Sequence, residues 1–264
     1  MSDFFNLVQN ENMKIYNRAR TYVMLGFVVG LVLVISIMWL IFGGRDVSMW
    51  DVVFLETSIL FLLVTIFTVV IAASAVAEEF STGTIKLLLI RPWSRSKILL
   101  SKYISILMFS LVLTVILLIS TIAVNWVCFH ISAAETYAVT FPIPEGTSVF
   151  VFLLQYYALT YVSMIVTVTL SFMLSTIFRS SGLAIGMALF LLLVVNNIIQ
   201  LLYSLDYKWI EYILFLHLDL TQYLYDFQPR EGMTLGFSLG VLAGYYVIFI
   251  ALTWYVFNKR DVAP

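Results

Sequence analysis

The chain has 264 residues, 62% of them hydrophobic and only 11% charged, with a mean hydropathy of +1.03 and a formal net charge of −1. A soluble fold cannot hide that much apolar surface, and globular chains are ordinarily about a quarter charged. A soluble enzyme or a nucleic-acid-binding module is therefore excluded, and an all-α integral membrane protein is expected.

Crossing a hydrocarbon core takes about 20 residues of helix. Six apolar runs are long enough, at 21–42, 54–77, 103–129, 149–178, 182–203 and 235–257. They must be helices, because an isolated strand in lipid leaves its backbone groups unpaired. No internal repeat or soluble linker divides the chain, so 1–264 reads as one membrane domain. The first apolar run starts after about twenty residues and is too long for a signal-peptide core.

Residues 1–20 mix Phe4, Val8, Met13 and Ile15, near helical spacing, with Lys14 and Arg18. This is the pattern of an amphipathic helix lying on the membrane surface with its cations at the headgroups. The first span carries Gly26 and Gly30, the fifth Gly182 and Gly186, and the sixth Gly236, Gly240 and Gly244. Small residues four apart favour close helix packing.

Eleven of the 14 basic residues fall on one side of this topology, including Lys14, Arg18, Arg20, Lys86, Arg91, Arg95, Lys97 and Lys102. That side is read as cytoplasmic, with both termini on it and the cell membrane as location. The other side collects ten of the 15 acids, Glu56 among them.

The second span ends in Glu78-Glu79. Residues 78–102 form a cytoplasmic hairpin: Ser81-Thr82-Gly83 makes a turn, Thr84 to Ile90 reads as a short apolar helix bearing Lys86, and Arg91-Pro92-Trp93 stops it. Ser94, after the proline, is a fair N-cap for the next helix. A short apolar helix with a cationic rim suits a groove on a protein partner. Charge alone is equally served by a loop that only obeys the positive-inside pattern. The glycine–helix–proline punctuation adds a shape that charge placement does not need.

Beyond an outer loop with Pro142 and Pro144, the fourth span sets Tyr156, Thr160, Ser163, Thr167 and Ser171 on one face. Two readings stay open: a polar route or subunit interface, or hydroxyls that bond their own helix carbonyls. Asn196, Asn197 and Gln200 in the fifth span need polar partners, either along a route or between helices. The outer segment 204–234 interleaves Trp209, Tyr212, Phe215, Tyr223 and Tyr225 with acids. It is expected to form short helices at the outer leaflet, where such aromatics settle.

No phosphate-binding glycine loop is present, so the chain is not expected to hydrolyse ATP itself. Cys128 stands alone, which excludes an intrachain disulfide, and its expected use is buried packing. His130 and His217 lie at the outer side, about 30 Å from Glu78-Glu79, too far to share a metal or an acid–base site. No catalytic, metal or cofactor site is expected.

At the hairpin the chain resembles the permease subunits of ABC-2 type ABC transporters. Their loop has the form E-x-x-x-G-T-[IL]-x-x-L-L-x-x-P-x-S-R-x-x-[IL]-L-x-x-K. Glu79, Gly83, Thr84, Ile85, Leu88, Leu89, Pro92, Ser94, Arg95, Ile98, Leu99 and Lys102 match it in order. The resemblance implies that the loop is a coupling helix docking on a separate ATPase subunit, which would hold the ATP and Mg. Glu78, Lys86, Arg91 and Lys97 would join that contact. It also implies a second permease subunit, as a homo- or heterodimer, and ATP-driven export. A non-transporting scaffold or immunity protein of the same fold is the alternative. A secondary transporter would ordinarily show charged spans and repeated halves with broken helices.

Overall fold

The apolar runs are helical where the structure describes them, the fifth only as far as Val195 and at residue 198. The computed structural model describes residues 2–43, 48–84, 93–130, 143–144, 146–195, 198, 208–225 and 232–259. Within these the chain is helical, with no strand. Among the described residues five helices are long and apolar enough to cross a membrane. The elements are α1 (Ser2–Tyr16), α2 (Ala19–Phe42), α3 (Met49–Ser74), α4 (Ala77–Ser81), α5 (Arg95–His130), α6 (Val149–Ile177), α7 (Ser181–Phe190) and α8 (Leu235–Lys259). α7 continues into a π turn over Leu191–Val195, and single 3-10 turns occupy Lys208–Tyr212, Leu214–His217 and Thr221–Tyr225.

Serines placed just before apolar runs start two of these helices. The Ser48 hydroxyl accepts from the Trp50 N–H at 3.3 Å, and that of Ser148 from the Val151 N–H at 3.4 Å. Each satisfies a donor that the first helical turn leaves open. Ser94 does the same for α5, accepting from the Lys97 N–H at 3.4 Å.

α3, α5 and α6 form the centre. Val64, Phe109, Leu113, Phe152, Val168 and Phe172 are buried in one cluster. The Phe54–Phe152 and Phe61–Tyr157 rings meet edge-on at 5.6 Å between centroids, the arrangement aromatic quadrupoles favour. α1 rests on α5: Leu7 packs with Ile98 and Trp93, and the Ser105 hydroxyl donates to the Val8 carbonyl at 3.2 Å. Its buried line is thus Leu7, Val8 and Glu11, while Met13, expected on the apolar face, is 46% exposed.

Other expectations change. α5 begins eight residues earlier than the third apolar run, so 95–102 is helix and not loop. Glu56, assigned above to the outer acids, lies two turns inside α3 and is fully buried. Gly26, Gly30, Gly186, Gly240 and Gly244 make no close helix contact among the described residues, for a side-chain carbon added at any of them meets nothing within 4 Å. Cys128 is half-buried beside Met49, Val52 and Phe129. The expected docking helix from Thr84 to Ile90, except Thr84 itself, the Arg91-Pro92 stop and residues 131–142 of the outer loop fall outside the described residues.

Candidate functional site at the base of the 78–102 loop

The second apolar run does not end smoothly in Glu78-Glu79. α3 stops at Ser74, and α4 restarts at Ala77. A side chain from another helix holds the break: the Ser175 hydroxyl of α6 accepts from the Val76 N–H at 2.9 Å and the Ala77 N–H at 3.0 Å. One hydroxyl oxygen has two lone pairs, enough for both donors. Ala72, Ala73, Val76 and Ala77 are fully buried, and their small side chains let α6 approach the break.

α4 presents two carboxylates to cations from α1, the α1–α2 junction, α2 and α5. Arg18, between α1 and α2, donates to both Glu78 oxygens at 2.7 Å. The Arg20 guanidinium of α2 lies 3.7 Å from the same carboxylate. Glu79 Oε1 accepts from Lys102 Nζ of α5 at 2.5 Å and from Lys14 Nζ of α1 at 3.3 Å. Lys102 also donates to Glu11 Oε2 at 2.8 Å, and Lys14 to Glu11 Oε1 at 2.6 Å. Lys102, read from sequence as a loop cation, is 3% exposed at the centre of this hub.

A buried ammonium is tolerated only when paired and hydrogen-bonded, and Lys102 has two carboxylates. Burial by itself would raise the Glu11 carboxyl, but the Lys102 and Lys14 ammoniums beside it hold it below its ordinary value. The hub lines a cavity of about 400 Å³ together with Ile71, Ala75, Thr82, Thr84 and Ser105. It ties α1, α2, α4 and α5 together at one end of the bundle.

The turn after α4 accounts for the glycine. The Thr82 hydroxyl donates to the Glu78 carbonyl at 2.8 Å and lies 2.9 Å from the Thr84 hydroxyl. Between them Gly83 has φ +73°, where a side chain is strained. On the far side of the loop, Arg95 donates to the Asn258 carbonyl near the end of α8 at 3.2 Å. Exposed Lys97 sits 5.8 Å above the Trp93 ring. Ile85, Lys86, Leu88, Leu89, Arg91 and Pro92 lie outside the described residues.

The other candidate residues do not gather here. On α6 the hydroxyls of Thr160, Ser163, Thr167 and Ser171 donate to the carbonyls four residues earlier, at 2.8, 3.3, 3.1 and 2.8 Å. These donors therefore face their own backbone. Asn196, Asn197 and Gln200 lie outside the described residues.

Two polar clusters escaped the sequence reading. Near the opposite end of the bundle, Glu56 accepts from Ser36 of α2 at 2.6 Å and from the Asn125 amide of α5 at 2.7 Å. Fully buried His217 lies 2.8 Å from the Ser238 hydroxyl through Nδ1 and 2.8 Å from the Glu211 carbonyl through Nε2. Burial pushes its imidazole below the usual value. The sequence reading named Glu78, Glu79 and the hub cations but not their meeting; Glu11, an acid in helical step with Leu7 and Ile15, was the unused signal for it. Among the described residues no group of three or more His, Cys, Asp or Glu side chains is placed to hold a metal.

Comparison with known proteins gives a family and two relatives. The chain is 40% identical over 206 residues to the uncharacterized protein YhcI of Bacillus subtilis (strain 168), a match covering 76% of this chain and 66%, just under two thirds, of YhcI. It is 31% identical over 196 residues to the uncharacterized membrane protein YdbK of the same organism, covering 74% of this chain and 76% of YdbK. These likenesses and the five apolar helices make this a multi-pass membrane protein. The model of a family described as protein of unknown function (DUF2705) matches residues 23–263, and the chain belongs to that family.

Proposed function

We propose that the chain is the membrane subunit of an ATP-driven exporter of the ABC-2 type, coupled through the 78–102 loop to a separate ATPase that carries ATP and Mg. In this reading six spans cross the cell membrane with both termini in the cytoplasm. α1 lies at the inner surface, the 3-10 turns before α8 lie at the outer leaflet, and a second permease subunit completes the route.

The observation that carries the reading is the meeting of the two ends of the loop motif. Glu79 at its start and Lys102 at its end form a 2.5 Å ion pair, so the two ends of the motif are closed on each other at its base. Force on a docking helix is useful only if it reaches the spans. Here α4 continues α3 across the Ser175-held break, and Lys102 is part of α5, so displacing the loop base displaces both helices. Coupling also needs the ATPase to hold the loop differently with and without nucleotide.

The test is co-purification with a P-loop ATPase encoded beside this chain. Leu88→Asp and, separately, Arg95→Glu are expected to leave the chain in the membrane and to abolish capture of the ATPase and its stimulated ATP hydrolysis. Undiminished capture by both variants refutes the coupling role.

A further inference from the structure

Arg20 is an under-used guanidinium. It lines the cavity at the α1–α2 junction, and its side chain is 35% exposed. Among the described residues it makes no hydrogen bond, and its Nε is a buried donor without a partner. The one acid near it, Glu78 at 3.7 Å, already accepts twice from Arg18. Around the cavity four cations (Lys14, Arg18, Arg20 and Lys102) face three carboxylates (Glu11, Glu78 and Glu79), leaving one positive charge over. Lys102 is buried, whereas Lys14 and Arg18 are 45% and 40% exposed, so the excess cation is offered at the rim.

Arg20 also heads an apolar stripe. Residues three, seven and fourteen further along a helix fall within about 60° of the same face. On α2 these are Val23, Phe27 and Val34, exposed by 67%, 52% and 51%. From Val23 to Val34 the stripe is about 16 Å long at the helical rise, enough to match the half-thickness of about 15 Å in a bilayer core. Helix side chains tilt toward the N-terminus, so Arg20 reaches away from this stripe toward the end of α2 where the cavity lies.

We propose that Arg20 and the rim of this cavity bind the phosphate of an anionic phospholipid, with an acyl chain along Val23, Phe27 and Val34. A guanidinium with free donors suits a phosphate, which it can engage through two parallel hydrogen bonds. The charge excess favours a net anionic headgroup, and the stripe supplies the apolar surface that a free phosphate does not need. The proposal rests on the membrane-subunit reading for which side of the bundle meets the inner leaflet.

The full-length chain, purified in neutral detergent after carbonate washing of the membranes, is titrated with phosphatidylglycerol, with phosphatidylcholine of the same chains, and with inorganic phosphate. Bound lipid is counted by native mass spectrometry. The wild-type chain is expected to prefer phosphatidylglycerol by about tenfold, because both lipids offer the phosphate and only phosphatidylglycerol keeps the net negative charge that the excess cation attracts. Arg20→Gln should erase the preference, and Phe27→Ser should weaken both lipids while leaving their ratio. A wild-type ratio near one overturns the proposal without any variant being needed, as does a ratio unchanged in Arg20→Gln. Displacement of the lipid by equimolar inorganic phosphate means an anion site only, and a dimer sealed through α2 that excludes lipid means a second copy; either overturns it. Release of the chain by the carbonate wash overturns the membrane-subunit reading as well, whereas failure of lipid preference alone leaves that reading standing.

Discussion

Removing the ammonium of Lys102 is the sharpest test of the hub. Lys102→Met keeps most of the side-chain length but leaves Glu11 and Glu79, with side chains only 7% and 13% exposed, facing each other without their central cation. Breaking a buried ion pair by deleting one partner costs about 3–5 kcal/mol, because a buried charge is left uncompensated. Lys14 remains near both carboxylates but is 45% exposed and screened by solvent. Its help keeps the expected cost near the lower end, about 3 kcal/mol. The triple variant Lys102→Met, Glu11→Gln, Glu79→Gln removes the stranded charges and should return to within about 1 kcal/mol of wild type. Equilibrium unfolding by SDS in mixed micelles, followed by tryptophan fluorescence, measures both. A Lys102→Met cost below about 1 kcal/mol, or a triple variant as unstable as the single one, refutes the reasoning.

Two further perturbations probe the break in the second span and the buried imidazole. Ser175→Ala strips the acceptor from two buried N–H groups and is expected to destabilise by about 2 kcal/mol. Hydrogen exchange at Val76 and Ala77 should rise at least about tenfold, with Ser175→Thr near wild type; unchanged exchange in Ser175→Ala would show that the hydroxyl does not hold the break. Acidification should act in two steps. His217 titrates below its ordinary value of 6.5 in the folded chain, so the unfolded chain binds the extra proton and stability falls as pH drops below 6.5. Glu11 is held below 4.5, so its contribution is complete above 4.5 and is lost as pH falls further, through the folded value. His217→Gln should flatten the first step alone; an unchanged slope there would clear the imidazole of responsibility.

Helix positions were legible wherever burial or lipid contact demands a continuous apolar run. The fourth run, read at 149–178, became Val149–Ile177, and the last, read at 235–257, became Leu235–Lys259. The start of α5 was marked by Ser94, read as its N-cap, yet 95–102 carries Arg95, Lys97 and Lys102 and was kept in the cytoplasmic loop for its polarity. Its helical form rests on the Ser94 cap and on Ile98 packing against Leu7. Glu56 was misassigned for a related reason: an acid near the start of an apolar run is ambiguous until Ser36 and Asn125 are seen to receive it.

By itself the sequence determined the described apolar helices and, in the 78–102 loop, the turn at Gly83, where φ is positive. Each of these depends on residues near one another in the chain, through hydropathy, helical period or backbone sterics. Only the tertiary structure decided which charges are buried and with whom. Glu11, Glu79 and Lys102 lie on three elements, and nothing local distinguishes Lys102 from the exposed Lys97 five residues before it. Its environment is set by α1 folding back over α5, and the free energy of a buried ion belongs to its partners rather than to its place in the chain.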